Sequence, residues 1–386
     1  MQPLILPKIS TTSPSLADAM RGCMLRAGLS RVPSLSVLCL GNPKAWLGTA
    51  YHSVLARIGE ADPTKETAAA AAERIWRESI AAEYEKTKQH PLNRRFSAPE
   101  TWPGYFLARA SALLRAQALV AQRAATPQHT TSSPPASTSG AFKEASFSAL
   151  GGKLTGRPDV IEGGEILDYK TGTVRELDDT QQDVVKQAYV TQLKLYGFLV
   201  KETLGWWPKR GVLLPLAGDA VSVDLKPEEC EQEALKAVAL LDGYNSKTEQ
   251  GVPLKDLASP HPATCKWCPF KAVCPPFWES ASPAWGRQLD GEAIEATILE
   301  NPKPVHNGEA LAVSVNIHIG TDAPRPTVIA PVNSAAHCAT GAPVAGDRVR
   351  MVGLRARPDG ALIPTLRTVI VNMAAIPAIS TTATQA

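Results

Sequence analysis

Two short runs of strand character near the middle of the chain, joined by a pair of glycines, constrain the fold more than any other feature. The runs are Lys153 to Ile161 and Glu165 to Tyr169, and Gly163-Gly164 lies between them. Glycine adopts the positive φ that tight hairpin turns require, so the pair predicts a β-hairpin. The rest of the chain is interpreted around this hairpin.

The hairpin carries acids and an amine at positions that bring them together. Alternation along the second strand sends Asp168 and Lys170 to one face and Tyr169 to the other. Asp159 lies across the hairpin from them. Two carboxylates can hold a hard divalent cation, and a nearby ammonium can orient water or stabilise a pentavalent phosphate. This set of residue types is typical of a nuclease centre.

The length and net charge of the chain limit the number of domains and the kinds of surface that it can have. The 386 residues are enough for two domains, and 40 Lys and Arg against 37 Asp and Glu leave a formal net charge of +3, so any basic surface must be local. No uncharged apolar run approaches the ~20 residues of a membrane span, which predicts a soluble cytoplasmic protein without a membrane partner. The seven cysteines are then expected to be reduced, metal-bound or buried.

Helical periodicity dominates before the hairpin. Thr64 to Lys88 and Trp102 to Ala125 are Ala-rich helical patterns, and the second contains apolar residues at the spacing of a buried stripe, namely Phe106, Leu107, Ala110, Leu113 and Leu114. Residues 126–140 have no periodicity and little apolar content, which predicts a flexible surface loop. His52 lies in another helical segment, where a lone histidine is more often a core or surface residue than a ligand.

After the hairpin the pattern alternates between helix and strand. Asp183 to Glu202 is predicted to be a helix in which Gln192 and Tyr196 lie one turn apart on the same face. A polar Gln one turn before a Tyr fits a phosphate or active-site edge better than a core. A second hairpin and a helix from Lys226 to about Lys247 follow. This order predicts an α/β domain with a small mixed sheet.

Three cysteines near the end of this region have the spacing of metal ligands. Cys265, Cys268 and Cys274 form a C-x2-C-x5-C pattern, whose first turn brings two thiolates onto one metal. The fourth ligand must come from elsewhere in the chain, and the candidates are Cys23, Cys39, Cys230, Cys338 and His261. The spacing is compatible with zinc or with an iron-sulfur cluster.

Together these features resemble the RecB-like branch of the PD-(D/E)xK nucleases that carry an iron-sulfur cluster, which includes the CRISPR-adaptation nucleases and the nuclease part of AddB-type repair enzymes. The resemblance covers roughly Ser13 to Pro276. Its marks are Gly48 to His52, Gly156 to Asp159, Asp168 to Lys170, the QxxxY pattern of Gln192 to Tyr196, and the three clustered cysteines with one early cysteine, Cys23.

The resemblance implies a role for each matching residue. His52, Asp159, Asp168 and the Tyr169 carbonyl would ligate Mg²⁺ or Mn²⁺, and Lys170 would assist the attacking water. Gln192 and Tyr196 would position the DNA backbone, and a 4Fe-4S cluster would be held by Cys23, Cys265, Cys268 and Cys274. It further implies an α/β fold with a PD-(D/E)xK restriction-endonuclease-like core and a helical N-terminal part, over residues 1–284.

Strand patterns replace helical ones from Trp285 onward. Five candidate strands in about 90 residues predict a small OB-like β-barrel over residues 285–386, and Thr365 to Val371 is the last of them. Its final strands are rich in arginine, at Arg348, Arg350, Arg355, Arg357 and Arg367. A basic barrel suits single-stranded nucleic acid, but the segment has no aromatic residue after Trp285 for base stacking, so a structural or partner-docking barrel is the alternative.

The sequence therefore predicts a metal-dependent deoxyribonuclease, acting as an exonuclease on single-stranded or end-bearing DNA in repair or defence. The chain contains no G-x-x-x-x-G-K-[ST] element, so it has no ATP motor of its own: it acts alone or with a helicase or another repair or defence protein that supplies one. The alternative is a nucleic-acid-binding adaptor that uses the nuclease fold as a scaffold in a larger repair or CRISPR-type complex.

Overall fold

A computed structural model describes residues 4–62, 64–125, 142–178, 180–285 and 288–381. The loop predicted for residues 126–140 lies outside these ranges. The helices are α1 (Pro14–Gly22), α2 (Met24–Leu29), α3 (Pro33–Ser36), α4 (Pro43–Arg57), α5 (Ala68–Lys88), α6 (Tyr105–Ala125), α7 (Gln187–Leu204), α8 (Pro227–Glu249), α9 (Pro262–Cys265), α10 (Pro275–Ser280) and α11 (Ser334–His337). Within the described ranges, no helix combines the length and the apolar character needed to cross a membrane.

The strands are short before residue 285 and longer after it. They are β1 (Leu4–Ile5), β2 (Phe142–Lys143), β3 (Phe147–Ala149), β4 (Leu154–Gly156), β5 (Val160–Glu162), β6 (Glu165–Lys170), β7 (Arg175–Leu177), β8 (Asp183–Val185), β9 (Arg210–Pro215), β10 (Val221–Asp224), β11 (Glu292–Ile298), β12 (Lys303–Val305), β13 (Ala310–Ile319), β14 (Arg325–Val332), β15 (Arg348–Ala356), β16 (Leu362–Ile363), β17 (Val369–Asn372) and β18 (Ile379–Ser380).

A five-stranded mixed sheet with the order β10-β9-β6-β5-β2 forms the centre of the first part of the chain. β6 runs parallel to β9, and the other pairs are antiparallel. α7 connects the two parallel strands, as a parallel pair requires a crossover. The predicted mixed α/β architecture is confirmed.

Helices cover both faces of this sheet. Ile166 on β6 packs in one apolar cluster with Leu193 and Leu199 of α7. Tyr169, three residues along the same strand, packs in a second cluster with Tyr51 and other residues of α4, α5 and α6. The alternation predicted for this strand is therefore present, and it places β6 between two layers of helices.

The predicted hairpin is present, but its first strand is shorter than expected. Gly163 and Gly164 adopt φ values of 60° and 80°, and they connect β5 to β6 in an antiparallel pair. The single strand expected from Lys153 to Ile161 is wrong, because β4 pairs with β3 in a separate sheet and only β5 pairs with β6. The chain breaks at residues 157–159, where Pro158 lacks the N–H that a strand ladder needs.

Two helical expectations also differ from the structure. In α6 the expected stripe is wrong, since Phe106, Leu107 and Leu114 are 69%, 56% and 68% exposed. The buried side instead carries small residues at Ala108, Ala112 and Ala116, which allow α4 and α5 to approach closely. The helix expected from Asp183 begins at Gln187, because residues 183–185 pair with β7 as a strand.

Five strands close a barrel in the last part of the chain. β11 pairs with β13 and β15, β13 with β14, β14 with β16, and β16 with β15. The expected five-stranded barrel is confirmed, but the strand expected at Thr365 to Val371 is not one of the five. That region forms β17, which pairs with β15 outside the closed circuit. Its place is taken by β16, which at two residues is too short to show alternation in the sequence.

The barrel is joined to the preceding part through both ends of the chain. β1 pairs in parallel with β18, so that Leu4 lies opposite Ile379. One apolar cluster contains residues from both parts, including Leu25 and Phe277 from the first and Val352 and Val369 from the barrel. The two parts therefore share a buried core.

Arg95, before the central sheet, makes three hydrogen bonds to backbone carbonyl groups of the barrel part. Its guanidinium donates to the carbonyl oxygens of Leu366 at 2.9 Å and Thr368 at 2.8 Å, and also to that of Ala336. We expect Arg95→Met to lower the free energy of unfolding by about 2 kcal/mol or more, because these three carbonyl groups and that of Leu92, 2.9 Å from Arg95 Nε, lose a charged donor. Chemical denaturation measures this, and Arg94→Met, at an exposed neighbour, is the matched control. Equal midpoints for the two variants would contradict the prediction.

Candidate active site

Asp159 lies at the centre of the polar site, immediately before β5. Its Oδ2 accepts the backbone N–H of Tyr169 at 2.6 Å, and its Oδ1 lies 3.1 Å from His52 Nδ1. Because the strand is broken at Pro158 and β5 begins only at Val160, Asp159 lies outside the strand. Its side chain is therefore directed towards the backbone of β6. The backbone of Tyr169 thus faces the acids, while its side chain is buried on the opposite face of the sheet.

Asp168 and Lys170 lie beside Asp159, as the strand alternation predicts. The Asp168 side chain is only 2% exposed, and the Lys170 ammonium lies 2.5 Å from its Oδ2. Despite this short ion-pair contact, Oδ2 has no well-directed hydrogen bond among the described residues. Burial raises the pKa of Asp168 to about 6, with a further increase from the Asp159 charge, and the Lys170 charge opposes both. A buried acid with unused acceptor capacity beside a second acid fits a cation.

The raised pKa of Asp168 predicts a pH dependence for the metal-free protein. A folded-state pKa of about 6, above the usual 3.8, means that the folded protein binds this proton more tightly than the unfolded chain does. The proton on Asp168 therefore stabilises the folded protein fully below about pH 4, and this contribution is lost as the pH rises through 6. We expect Asp168→Asn, which stays neutral, to melt at a higher temperature than the parent protein in chelator, with a gap that grows from about pH 4 to about pH 7 and then levels off.

The matched control for this comparison is Asp224→Asn, because Asp224 is exposed at the end of β10. Its melting temperature should follow that of the parent protein at every pH. A gap for Asp168→Asn that stays constant or shrinks between about pH 4 and about pH 7 would contradict the prediction.

His52 reaches the acids from α4. Burial by itself would lower the pKa of His52, but the hydrogen bond and charge of Asp159, with smaller contributions from Asp168 and Glu144, raise it overall. The imidazole is thus held in a strongly negative environment. His52 lies beside Asp159 in the structure, as the resemblance implies, although its own sequence context does not indicate a site.

Glu144 is a site residue that the sequence reasoning missed. Atoms of His52, Glu144 and Asp159 that can ligate a metal all lie within 4.8 Å of one another, whereas Asp168 is not in this group. Burial raises the pKa of Glu144, and the Asp159 charge adds to the effect. No motif marks Glu144 in the sequence, since it lies outside the hairpin and follows the two-residue strand β2.

Gln192 and Tyr196 connect to Lys170 by hydrogen bonds. Lys170 Nζ donates to Gln192 Oε1 at 2.7 Å, and Gln192 Nε2 donates to the Tyr196 hydroxyl at 3.0 Å. The Tyr189 ring lies 4.6 Å from the same ammonium, a cation–π distance. Tyr196 is only 7% exposed, and burial raises its pKa. One face of α7 therefore fixes the position of the lysine ammonium.

The four cysteines that the resemblance implies as ligands line a single cavity. Cys23 lies between α1 and α2, Cys265 ends α9, and Cys274 precedes α10. These three line the cavity together with Cys268. Burial raises the pKa of Cys268 to about 11 and that of Cys274 to about 12, so both thiols are neutral at pH 7 when no metal ion draws off their protons.

The spacing of these thiols limits what they can bind. Among the described residues, no three cysteine sulfurs lie within 4.8 Å of one another. Zinc bonds of about 2.3 Å would hold tetrahedral thiolates about 3.8 Å apart. The sulfurs are thus spread more widely than around a single zinc ion. The other candidates, Cys39, Cys230, Cys338 and His261, do not line the cavity.

Comparison with known proteins gives one family match. The model of the PD-(D/E)XK nuclease superfamily matches residues 11–275. None of the curated proteins matches the chain.

Two solved structures are similar in part. A candidate exonuclease from Eubacterium rectale is 12% identical, with 62% of this chain and 82% of that chain covered and a TM-score of 0.36. SSO0001 is 18% identical, with 50% and 79% covered and a TM-score of 0.26. At these scores neither likeness bears on fold or activity.

Proposed function

The chain belongs to the PD-(D/E)XK nuclease superfamily, and from this membership we propose that it is a metal-dependent deoxyribonuclease of the RecB-like branch. We propose an exonuclease that acts on single-stranded or end-bearing DNA. The observation that carries the proposal is that Asp159, just before β5, lies beside Asp168 and Lys170 of β6, with His52 of α4 next to Asp159.

The roles proposed for these residues are those that the family resemblance implies, and the contacts among the side chains support them. A bound Mg²⁺ or Mn²⁺ would polarise the scissile phosphate and lower the pKa of a water molecule. Asp159, Asp168 and His52, with the Tyr169 carbonyl, are proposed to hold the cation. Lys170 then orients the attacking water and stabilises the developing negative charge on the phosphate.

The hydrogen-bonded chain from Lys170 to Gln192 and Tyr196 supports a positioning role for both α7 residues. A long lysine side chain loses much rotamer freedom when its ammonium is fixed at two sides. Gln192 and Tyr196 would therefore keep the ammonium directed at the phosphate, and the exposed part of Gln192 would contact the DNA backbone.

The four-thiol cavity supports a 4Fe-4S cluster as part of the proposal. Its thiols come from both ends of the nuclease region, so a cluster would tie α1 and α2 to the segment that follows α8. The preference for a cluster over one zinc ion rests on the family resemblance of the four cysteines. The cluster would stabilise the fold and take no part in hydrolysis.

The barrel is proposed to be an OB-like domain of residues 285–386, appended to a nuclease domain of residues 1–284. Its arginines are mostly paired, since Arg348 and Arg350 share Glu295 and Arg367 contacts Asp290. Paired arginines attract DNA less strongly. This favours a barrel that braces the nuclease domain or docks a helicase or another repair or defence protein in the cytoplasm.

End-labelled DNA tests the proposal directly. The purified protein is incubated with single-stranded, blunt duplex and overhang substrates in Mg²⁺, Mn²⁺ or chelator. We expect products that shorten from an end, only with metal, and faster on single strands and overhangs. Tight DNA binding without metal-dependent cleavage would contradict the proposal and would favour a nucleic-acid-binding adaptor.

A further inference from the structure

Glu144 is held in an unfavourable backbone conformation at the edge of the active site. Its φ is 49°, in the left-handed region that residues other than glycine seldom adopt. Such a conformation costs about 1 kcal/mol or more and persists only when surrounding contacts fix it.

Three contacts fix Glu144. Its backbone N–H donates to the Asp159 carbonyl at 3.0 Å, and its own carbonyl accepts from Arg157 Nε at 2.6 Å. Arg157 Nε also lies 2.8 Å from Glu144 Oε2. The arginine therefore binds one carboxylate oxygen and leaves Oε1 directed at the acid and histidine pair.

The distance from Glu144 Oε1 to His52 Nδ1 is compatible with two ligands of one cation. Octahedral bonds of about 2.1 Å place adjacent ligand atoms about 3 Å apart and opposite ones about 4.2 Å apart. His52 Nδ1 lies 3.1 Å from Asp159 Oδ1 and 3.9 Å from Glu144 Oε1. Both distances fall in this range.

We propose that Glu144 is a protein ligand of the active-site cation, which it holds together with His52 and Asp159. This inference rests on the proposed function for the identity of the site, and it adds a residue that the family resemblance does not include. As a ligand, Glu144 would add a negative charge to those of Asp159 and Asp168. Glu144 therefore sets how tightly the site retains its cation.

Calorimetric titration of the metal-free protein with Mn²⁺ tests the inference. We expect Glu144→Gln, which keeps the size and an oxygen for Arg157, to bind Mn²⁺ at least about 10-fold more weakly than the parent protein. Glu144→Asp, with a shorter carboxylate arm, should fall between the two. Glu162→Gln is the matched control, because Glu162 is an exposed acid on β5 outside the group.

Melting temperatures distinguish a lost ligand from a damaged fold. In chelator, Glu144→Gln should melt close to the parent protein, and added Mn²⁺ should raise its melting temperature by less. Parent-like Mn²⁺ affinity in Glu144→Gln would overturn the inference, whether or not the protein cleaves DNA. If the parent binds Mn²⁺ and Glu144→Gln loses that binding while neither cleaves DNA, the proposed function fails and the role of Glu144 stands.

Discussion

Lys170→Met should lower the rate of DNA cleavage by about 10²- to 10³-fold, even at saturating Mn²⁺, because the ammonium acts on charge that develops during the reaction. The three contacts that fix this ammonium, from Asp168, Gln192 and Tyr189, would have no use on a surface lysine. Methionine keeps the length and apolar body of the side chain and removes only the charge and its donors. Single-turnover cleavage of end-labelled single-stranded DNA gives the rate.

Two control measurements show whether the loss of cleavage comes from the missing Lys170 ammonium. Lys209→Met removes a lysine that is exposed just before β9, and its cleavage rate should equal that of the parent protein. Lys170→Met should still bind Mn²⁺, in contrast to Glu144→Gln, because the ammonium is not a cation ligand. A Lys170→Met protein that cleaves DNA at the parent rate would remove the lysine from the mechanism.

Loss of a single thiol from the four-cysteine cavity should have the largest effect on the fold. We expect Cys268→Ser to be purified without iron, to lack the broad visible absorbance of an iron-sulfur cluster, and to unfold at a much lower temperature. The cavity lies within the apolar cluster shared by the first helices and the barrel. Structural metal sites contribute on the order of 10 kcal/mol to folding, so few other contacts could compensate.

Cys39→Ser is the control for this experiment, because Cys39 packs against the same cluster without lining the cavity. It should keep the iron and the colour. Elemental analysis of the parent protein decides between the metals, and zinc without iron would contradict the cluster. Unchanged metal content and melting temperature in Cys268→Ser would show that the thiol is not a ligand.

Local spacing predicted a large part of the site. The glycine pair fixed the β5–β6 turn, and alternation along β6 put Asp168 and Lys170 on one face. Helical periodicity put Gln192 and Tyr196 one turn apart, where they form a hydrogen bond. These relations depend only on residues a few positions apart, which the backbone geometry of strand and helix brings together in any fold.

The apolar pattern of the sequence predicted the wrong buried face of α6, because the neighbouring elements decide which face of a helix is buried. The large apolar residues of α6, such as Phe106 and Leu114, point outward, because the neighbouring helices approach over the alanines. The residues from Asp183 to Val185 form a strand because a neighbouring segment pairs with them. A single sequence does not contain the identity of that neighbour.

The sequence by itself thus determined that Asp168 and Lys170 share one face of β6, that Gln192 and Tyr196 lie one turn apart on α7, and that Cys265 and Cys268 share one turn. The hydrogen bond from Lys170 to Gln192 came only from the tertiary structure. Tertiary structure alone decided that Glu144 joins His52 and Asp159. That Cys23 lines one cavity with Cys268 was expected only from the family resemblance, because the spacing of the residues left the fourth thiol open. The physical reason is distance along the chain. Contacts between neighbouring residues follow from backbone geometry, whereas contacts between distant segments are set by how sheets and helices pack.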